Sequence, residues 1–197
     1  MSGDPFPPVR KTLMLVDLDD LWEPGQLALP RFAEILARHP EFIATFFTIP
    51  NKFGEVTPAL RAQFPWARFA IHGWEHTQFE CRTWTTEETV RLVKRALDLG
   101  YDPIFKAPNW IMDRDVELGL AECGVVLAHH ETYVPSVSGL RAFPGPLAKR
   151  RRIAHVHTHI TENPATDWLM THPAFHAPAF DNAERFLTFD EAAITLP

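Results

Sequence analysis

Short apolar runs alternate along the chain with segments of helical periodicity. The apolar runs predict strands at 12–17, 42–49, 67–72, 103–106, 125–129 and 153–157. Apolar positions three and four residues apart predict helices at 29–38, 86–99 and 114–123, and a short helical turn at 189–193. Because strands and helices alternate, the pattern predicts an α/β fold with a mostly parallel sheet. The strands are continuously apolar, which is typical of strands covered on both faces.

The ends of the predicted helices carry recognisable signals. Thr85 and Glu88 predict a capping box at the start of the helix at 86–99, and Gly100 ends that helix. Asp113 predicts the N-cap of the next helix, and Gly124 its end. The following segment, 131–147, is rich in Pro and Gly and is predicted to be a long loop.

The 197 residues suit a single domain, with 1–11 as an N-terminal extension and 165–197 as a tail packing on it. A net charge of −6 argues against a nucleic-acid or anionic-membrane partner. Residues 1–11 lack the apolar segment of a signal peptide, and no apolar stretch is long enough to cross a membrane, so a cytoplasmic location is expected. Cys81 and Cys123 form no CxxC pair, and neither a disulfide nor a cysteine metal site is expected. The oligomeric state stays open.

Polar residues collect where the predicted strands end. They are Asp17, Asp19 and Asp20 after the first strand, His72 and His76 after the third, Lys106, Asn109 and Trp110 after the fourth, and His155, His157 and His159 on the last. In parallel α/β folds, ligands bind at the C-terminal ends of the strands. Since a hydrophobic core has no need of these groups, and burying them unpaired is costly, they predict a functional site.

His72 and His76 have the spacing of a metal-binding pair. In a helical turn, residues four apart lie on one face, where two imidazoles share a metal ion. Zinc, iron, cobalt and nickel all suit imidazole, and a carboxylate supplies a third ligand. Of the adjacent Asp19 and Asp20, one is predicted to bind the metal and the other to accept a proton from water. For Asp17, orienting a neighbouring group is favoured over a direct role.

Four short motifs together resemble one enzyme family. VDLDD at 16–20, HGWEH at 72–76, FKAPNW at 105–110 and IAHVHTH at 153–159 are similar, in the same order, to the motifs of the polysaccharide deacetylase (NodB-homology, carbohydrate esterase) family. The similarity covers roughly residues 13–160. The resemblance implies a distorted, incomplete (β/α) barrel. It also implies metal-dependent removal of an acetyl group from a small-molecule or oligosaccharide substrate that carries an N-acetyl group.

The resemblance also implies roles for individual residues. Asp20, His72 and His76 would bind a divalent metal, Zn2+ in the first place, with Co2+, Ni2+ and Fe2+ as alternatives. Asp19 would be the general base and Lys106 would orient it. A histidine of the last strand would protonate the leaving group, with His159 favoured over His157 because it lies nearer the strand's end, and His155 buried and structural. Trp22, Trp74, Pro108, Asn109 and Trp110 are the expected substrate-binding residues, although the three tryptophans also suit a core.

The chain departs from the family pattern at three places. Lys106 stands where the family has Arg, Leu21 replaces a usual Gly, and no second Asp motif occurs between residues 110 and 150. The change at Lys106 favours an alternative, a non-catalytic carbohydrate-binding relative. The intact Asp19 argues against that alternative, because binding alone needs no free base. A non-haem iron oxygenase with two His and one carboxylate is a third reading, which the alternating α/β pattern disfavours.

Overall fold

A single curled sheet forms the centre of the molecule. The computed structural model describes residues 12–22, 32–129, 134–143, 153–159 and 183–195. Within these residues the sheet has nine strands. Their bounds are β1 Thr12–Leu21, β2 Ala44–Thr48, β3 Ala67–His72, β4 Ile104–Lys106, β5 Val126–Ala128, β6 Arg141–Phe143, β7 Ile153–His159, β8 Ala183–Leu187 and β9 Ile194–Thr195.

The strand order is that of a half-barrel in which β1 lies between β7 and β2. Neighbouring strands follow the order β7-β1-β2-β3-β4-β5-β6-β9, and β8 also pairs with β1. All of these pairings are parallel except that of β6 with β9. β1 is paired with β7 along Leu13–Asp19, with β8 along Thr12–Leu15 and with β2 from Asp17 onward. The incomplete, mostly parallel barrel expected from the sequence is confirmed.

Helices follow most of the strands. Their bounds are α1 Ala33–Arg38, α2 Pro50–Phe53, α3 Pro58–Gln63, α4 Glu80–Thr83, α5 Thr86–Asp98, a 3-10 turn Pro108–Trp110, α6 Arg114–Cys123 and α7 Phe189–Ala192. At the start of α5, Thr85 accepts a hydrogen bond from the Glu88 amide, as expected, but the Glu88 carboxylate pairs with Arg91 at 2.7 Å. Gly124 ends α6 in the left-handed conformation that the sequence predicts.

Side-chain alternation along the strands separates two cores. In β1, Met14, Val16 and Leu18 point outward into the larger core, between the sheet and the helices. Leu15 points inward, into a second core inside the half-barrel. Most strands contribute one or two residues to this inner core, which comprises Leu15, Phe47, Ala70, Ile104, Val126, Ala128, Phe143, Ile153 and Leu187 with two residues of α7. Side chains that point inward at the C-terminal ends of the strands therefore lie above the inner core.

The helical turn α7 fills the inside of the half-barrel. Phe189 is fully buried, and its ring lies 5.4 Å from that of Phe47 and 5.6 Å from that of Phe143. Thr188 and Glu191 form a complete capping box that begins the turn. The turn predicted at 189–193 is therefore confirmed, and it lies on the barrel's interior.

Several elements differ from the sequence-based expectation. The predicted loop at 131–147 contains β6, and β8 and β9 were not expected. β7 continues two residues beyond the predicted end, to His159. The five residues of β8 form a strand through pairing with β1, which is far away in the sequence. β6 and β9 have only three and two residues, which is too few to show a periodicity. For the same reason the one-turn helices α2 and α4 escaped prediction.

Some expectations concern residues that the structure does not describe, namely 1–11 and 165–182. Cys81 and Cys123 are free thiols, and burial raises the pKa of both. Among the helices that the structure describes, none combines the length and apolar character needed to cross a bilayer.

Candidate active site

A bulge at the end of β1 turns two adjacent aspartates toward one place. Successive residues of a regular strand point to opposite faces, so Asp19 and Asp20 would normally diverge. Between Leu18 and Leu21 the register with β2 shifts, and Asp20 takes a left-handed φ of 68°. This conformation is uncommon outside glycine, and aspartate is one of the residues that tolerate it. As a result both carboxylates face His72.

The loop after β3 carries the two predicted metal-binding histidines, but it is not helical. His72 is the last residue of β3, and His76 lies in the following loop with a φ of 60°. The expected helical turn is therefore wrong. The buried carboxylate of Glu80 shapes the loop instead, because it accepts hydrogen bonds from the amides of Trp74, Glu75 and His76 at 3.0–3.1 Å.

Three predicted ligand atoms converge at this point. Asp20 Oδ1 lies 2.9 Å from His76 Nε2 and 3.5 Å from His72 Nε2. Ligand atoms about 2.0–2.1 Å from a tetrahedral zinc ion are separated by about 3.3 Å, so these spacings suit a small divalent cation. Asp20 Oδ1 is buried and accepts no hydrogen bond from the described residues, although two imidazoles lie beside it. An oxygen in this state fits a metal ligand.

The electrostatics of the three groups are tightly linked. Burial acts to raise the pKa of Asp20, but the adjacent His72 and His76 imidazoles outweigh it, and the pKa lies below its ordinary value. The contact with Asp20 in turn raises the pKa of His76, against the opposing effect of burial. His72 Nδ1 is 3.0 Å from the Lys106 carbonyl oxygen, and a bond there directs Nε2 toward Asp20. Asp20, His72 and His76 therefore form a preorganised site with one orienting contact behind it.

Lys106 lies beneath this site, fully buried between two carboxylates. Its Nζ donates to Asp19 Oδ1 at 2.7 Å and to Asp17 Oδ2. The ammonium also lies 4.0 Å from the ring centroid of Phe47 and 4.5 Å from that of Trp110. A buried ammonium is tolerated only when it is paired, and here two anions and two aromatic faces surround it.

Asp17 links Lys106 to the histidines of β7. The parallel register places Asp17 beside His157 and Asp19 beside His159. His157 Nδ1 is 3.0 Å from Asp17 Oδ2, and His155 Nε2 contacts Asp17 Oδ1. Burial alone would raise the pKa of Asp17, but Lys106 and His155 hold it well below the usual range. The carboxylate of Asp17 therefore faces two imidazoles.

His157 stands opposite the triad formed by Asp20, His72 and His76. Its Nε2 is 3.8 Å from Asp19 Oδ2, and the same oxygen is 3.7 Å from His72 Nε2. His159 is exposed, and its ring centroid is 5.0 Å from that of His157. Asp19 thus lies between the triad on one side and the β7 histidines on the other.

Comparisons with known proteins place this arrangement in a known fold. No protein-family model matches the sequence, and no curated protein is similar to it. Solved structures do match over nearly the whole chain. A family 4 acetyl xylan esterase from Clostridium thermocellum, in complex with a cobalt ion, is 14% identical, with a TM-score of 0.57 over 91% of this chain and 89% of that one. The chain has the fold of the family 4 carbohydrate esterases.

Two further neighbours share the family 4 esterase fold. The chitin deacetylase of Colletotrichum lindemuthianum is 13% identical, with a TM-score of 0.58 over 93% of this chain and 88% of that one. BA3943 of Bacillus anthracis, described as a family 4 pseudoenzyme, is 14% identical, with a TM-score of 0.54 over 90% of this chain and 64% of that one. The fold expected from the four motifs is therefore the fold observed.

Within this esterase fold, the expected substrate-binding residues occupy different surroundings. Trp110 adopts a left-handed φ of 59° directly after Asn109 at 55°, and this kink lays its ring against Lys106 and His157. Two consecutive residues of this kind store strain of a sort that concentrates at functional sites. Asn109 is exposed and donates to the Gln78 carbonyl, and Trp22 is half-buried beside Lys52.

Trp74 and Pro108 have surroundings at odds with the expected role. Trp74 is only 8% exposed, belongs to the outer core and stacks under Arg95 at 4.8 Å. Pro108 is buried, and its ring lies so close to Gly73 that an added Cβ there would be 2.7 Å from it. Both side chains support the loop that carries His72 and His76 rather than face a substrate.

Sequence reasoning missed Glu80 and undervalued Asp17. Glu80 gives no motif signal, because a carboxylate at the start of a short helix usually serves the helix itself. The signal for Asp17 was present: in β1 it alternates with Asp19 on the inward face, so both belong to one side of the strand.

Proposed function

We propose that this protein is a metal-dependent deacylase that hydrolyses the acetyl group of an N-acetylated carbohydrate or a related amide. The observation that carries the proposal is the arrangement around Asp19. A ready metal triad lies on one side of this carboxylate, and a histidine held by a second carboxylate lies on the other. The esterase fold supports a hydrolase, and two neighbours in that fold are an acetyl xylan esterase and a chitin deacetylase.

Asp20, His72 and His76 would hold the cation. Two imidazoles and a carboxylate suit Zn2+ first, and Co2+, Ni2+ or Fe2+ next. A divalent cation held there supplies a Lewis acid, which polarises an acyl carbonyl and lowers the pKa of water. Three protein ligands leave a coordination position open, as catalytic sites do.

Asp19 would act as the general base. Lys106 fixes Oδ1 through a 2.7 Å hydrogen bond, which leaves Oδ2 directed between the triad and His157. A water attacking the acyl carbon loses its proton to this oxygen while the new C–O bond forms. Because Asp19 is only 2% exposed and is held by Lys106, it starts the reaction in position.

His157 would be the general acid, in preference to His159. His157 Nδ1 lies 3.0 Å from Asp17 Oδ2, and an N–H donated there would orient the ring. Nε2 would then give a proton to the leaving nitrogen as the C–N bond breaks. The released acetate leaves with the former water oxygen. The proton then held by Asp19 returns to His157 Nε2, which lies 3.8 Å away. His159 is exposed at the end of β7, and among the described residues no hydrogen bond holds it to an anchor of the kind that Asp17 gives His157.

Lys106 would take over the task that the family gives to an arginine. Lysine retains the positive charge but loses the planar fork that binds a carboxylate at two points. Here one ammonium bonds both Asp17 and Asp19, and thereby ties the base to the anchor of the acid. The ammonium of Lys106 would thus hold Asp19, the proposed base, at a fixed distance from Asp17, which anchors the proposed acid.

The experiment measures metal content together with acetate release from N-acetylglucosamine oligomers, simple N-acetyl amines and acetylated xylan. Wild type is compared with Asp19→Asn, His72→Ala and, as a matched surface control, Asp98→Asn. We expect Asp19→Asn to keep its metal and lose turnover by at least about 10²-fold, and His72→Ala to lose both. The control should match wild type. Failure to bind any metal when zinc and cobalt are supplied would overturn the proposal.

A second measurement distinguishes His157 from His159. A general acid matters for a poor leaving group such as an amine and hardly at all for p-nitrophenolate. His157→Gln should therefore slow amide hydrolysis by about 10²–10⁴-fold and leave p-nitrophenyl acetate hydrolysis nearly unchanged. If instead His159→Gln slowed only amide hydrolysis and His157→Gln did not, His159 rather than His157 would be the general acid.

A non-catalytic carbohydrate-binding relative is the second candidate. Two observations favour it: Lys106 replaces the family's arginine, and one neighbour in this fold is a pseudoenzyme. Bound metal and oligosaccharide binding, without acetate from any substrate in the panel, would support it. The retained Asp19 beside the triad supports the enzyme instead.

A further inference from the structure

A second group of potential ligands lies beside the first. One ligand atom each from Asp19, His157 and His159 lies within 4.8 Å of the others, as in the triad of Asp20, His72 and His76. The two groups share no residue. Asp19, a member of the second group, connects the two: its Oδ2 is 3.7 Å from His72 Nε2 of the first group and 3.8 Å from His157 Nε2 of its own group.

The orientation of His157 is that of a prepared metal ligand. Histidines that bind metals usually donate their other ring N–H to a carboxylate or carbonyl, which sets the tautomer and makes the ligand nitrogen more basic. His157 Nδ1 lies 3.0 Å from the buried Asp17, and this contact directs Nε2 toward Asp19. His72 shows the same pattern in the first triad, with the Lys106 carbonyl as its partner.

Lys106 does not block this second group. Its ammonium bonds Oδ1 of Asp19, whereas Oδ2 faces the histidines. His159 is exposed at the end of β7, and one of its ring nitrogens lies within 4.8 Å of the ligand atoms of Asp19 and His157. Two imidazoles and one carboxylate select Zn2+ and its neighbours in the transition series over Mg2+ or Ca2+.

We propose that Asp19, His157 and His159 form a second, weaker zinc site, whose occupation inhibits the enzyme. Charge explains the order of binding. Three aspartates and Lys106 give the cluster a net charge of −2 with neutral imidazoles, from the count of Asp17, Asp19, Asp20 and Lys106. The first divalent cation neutralises this charge, and the second must enter against a neutral or positive site.

The second zinc ion would inhibit because it would bind residues that the proposed mechanism needs. Asp19 and His157 are the proposed base and acid, and neither transfers a proton while it is a metal ligand. Excess zinc would therefore inhibit hydrolysis, although the first zinc ion activates the enzyme. Inhibition rests on the proposed function, whereas binding of the second ion does not.

The test is a zinc titration of metal-stripped protein by calorimetry and native mass spectrometry. Wild type should bind one tight and one weaker zinc equivalent. His159→Gln should lose the weaker one, with an affinity loss greater than about 10-fold, and keep the tight one. His39→Gln removes a histidine outside both triads and should behave as wild type. His72→Ala should weaken the tight equivalent.

Activity gives a separate readout for the inhibition. Each variant's rate at excess zinc is divided by its own rate at one equivalent. This ratio should fall well below one in wild type and His39→Gln and stay near one in any active His159→Gln protein, and excess Mg2+ should leave it unchanged. A single zinc equivalent in wild type, or a weaker equivalent retained in His159→Gln, overturns the second site. Two equivalents without hydrolysis would overturn the proposed function and leave the site standing.

Discussion

Asp17, Asp19 and Asp20 lie on one strand but have three different surroundings. Asp17 faces Lys106 and two imidazoles, Asp19 faces Lys106 on one oxygen only, and Asp20 faces His72 and His76. Identical side chains are thereby suited to anchoring, to accepting a proton and to binding a cation. The sequence predicted the pair at 19–20, but only the strand's alternation and bulge assign each its surroundings.

Gly73 is the residue on which the shape of the histidine loop depends. It has a φ of 60°, and a Cβ built there would lie 1.9 Å from Glu80 Oε1. Gly73→Ala should therefore displace Glu80, release three loop amides and misplace His76. We expect zinc affinity to fall about 10–100-fold while far-UV circular dichroism stays that of the wild type.

Gly139→Ala provides the matched control for this change. Gly139 also has a left-handed φ, 81°, but nothing lies within 4 Å of an added Cβ. It should lose a little stability from backbone strain and keep its zinc affinity. Equal zinc affinity in the two variants would mean that Glu80 does not determine the shape of the loop that carries His76.

His129 makes the stability of the protein depend on pH. Burial lowers its pKa to about 4, so between about pH 6.5 and 4 the unfolded chain binds a proton that the folded protein refuses. Stability from this group is complete above pH 6.5 and is lost as the pH falls through this window, by up to about 3 kcal/mol. Urea unfolding at pH 7 and pH 4.5 should show a smaller pH difference in His129→Gln than in wild type; an equal difference would contradict the assignment.

Among the elements, β3 could be predicted closely, the predicted strand at 12–17 ended four residues before the end of β1 at Leu21, and β6, β8 and β9 were not predicted. The predicted strand at 67–72 agrees with β3 to the residue, because its apolar run is long and ends at a histidine. β6, β8 and β9 are short, and pairing partners far along the chain determine them. Similarly, the loop with His76 owes its form to Glu80 rather than to helical periodicity.

The element α7 should contribute strongly to stability through one ring. Phe189 is fully buried among Phe47, Phe143 and His155 inside the half-barrel. Phe189→Ala should lower the free energy of unfolding by about 3–5 kcal/mol, because it leaves a large cavity. Urea denaturation measures this loss, and Phe79→Ala, at a side chain that is 45% exposed, is the control expected to stay within about 0.5 kcal/mol.

At the scale of the whole molecule, metal binding should be visible as added stability. Zinc at about 100 times its dissociation constant adds about 2.7 kcal/mol, which for a domain of this size raises Tm by about 5–10 °C. Asp20→Asn should abolish the shift, and Asp98→Asn should retain it. A thermal unfolding scan with and without zinc measures both, and an unchanged shift in Asp20→Asn would contradict the ligand assignment.

The overall fold could be predicted because it needs only the order and type of the longer elements. The alternation of apolar strands with helices predicts the parallel sheet, and the four motifs identify the C-terminal edge. The resemblance implied that Lys106 lies beside Asp19, but its contact with Asp17 could not be predicted, because that contact depends on which strand lies beside which.

The pairing of β1 with β7 has a consequence for how the protein matures. Asp17 and His155, which touch in the folded protein, are 138 residues apart in the chain, and α7 lies further along still. During synthesis, β1 emerges long before β7 and pairs with it only after the intervening chain has been made. Contacts of such long sequence separation form slowly, so His157 comes to lie beside Asp19 late in folding. Under the proposed function, a nascent chain that already holds Asp20, His72 and His76 would bind zinc before its proposed acid is in place.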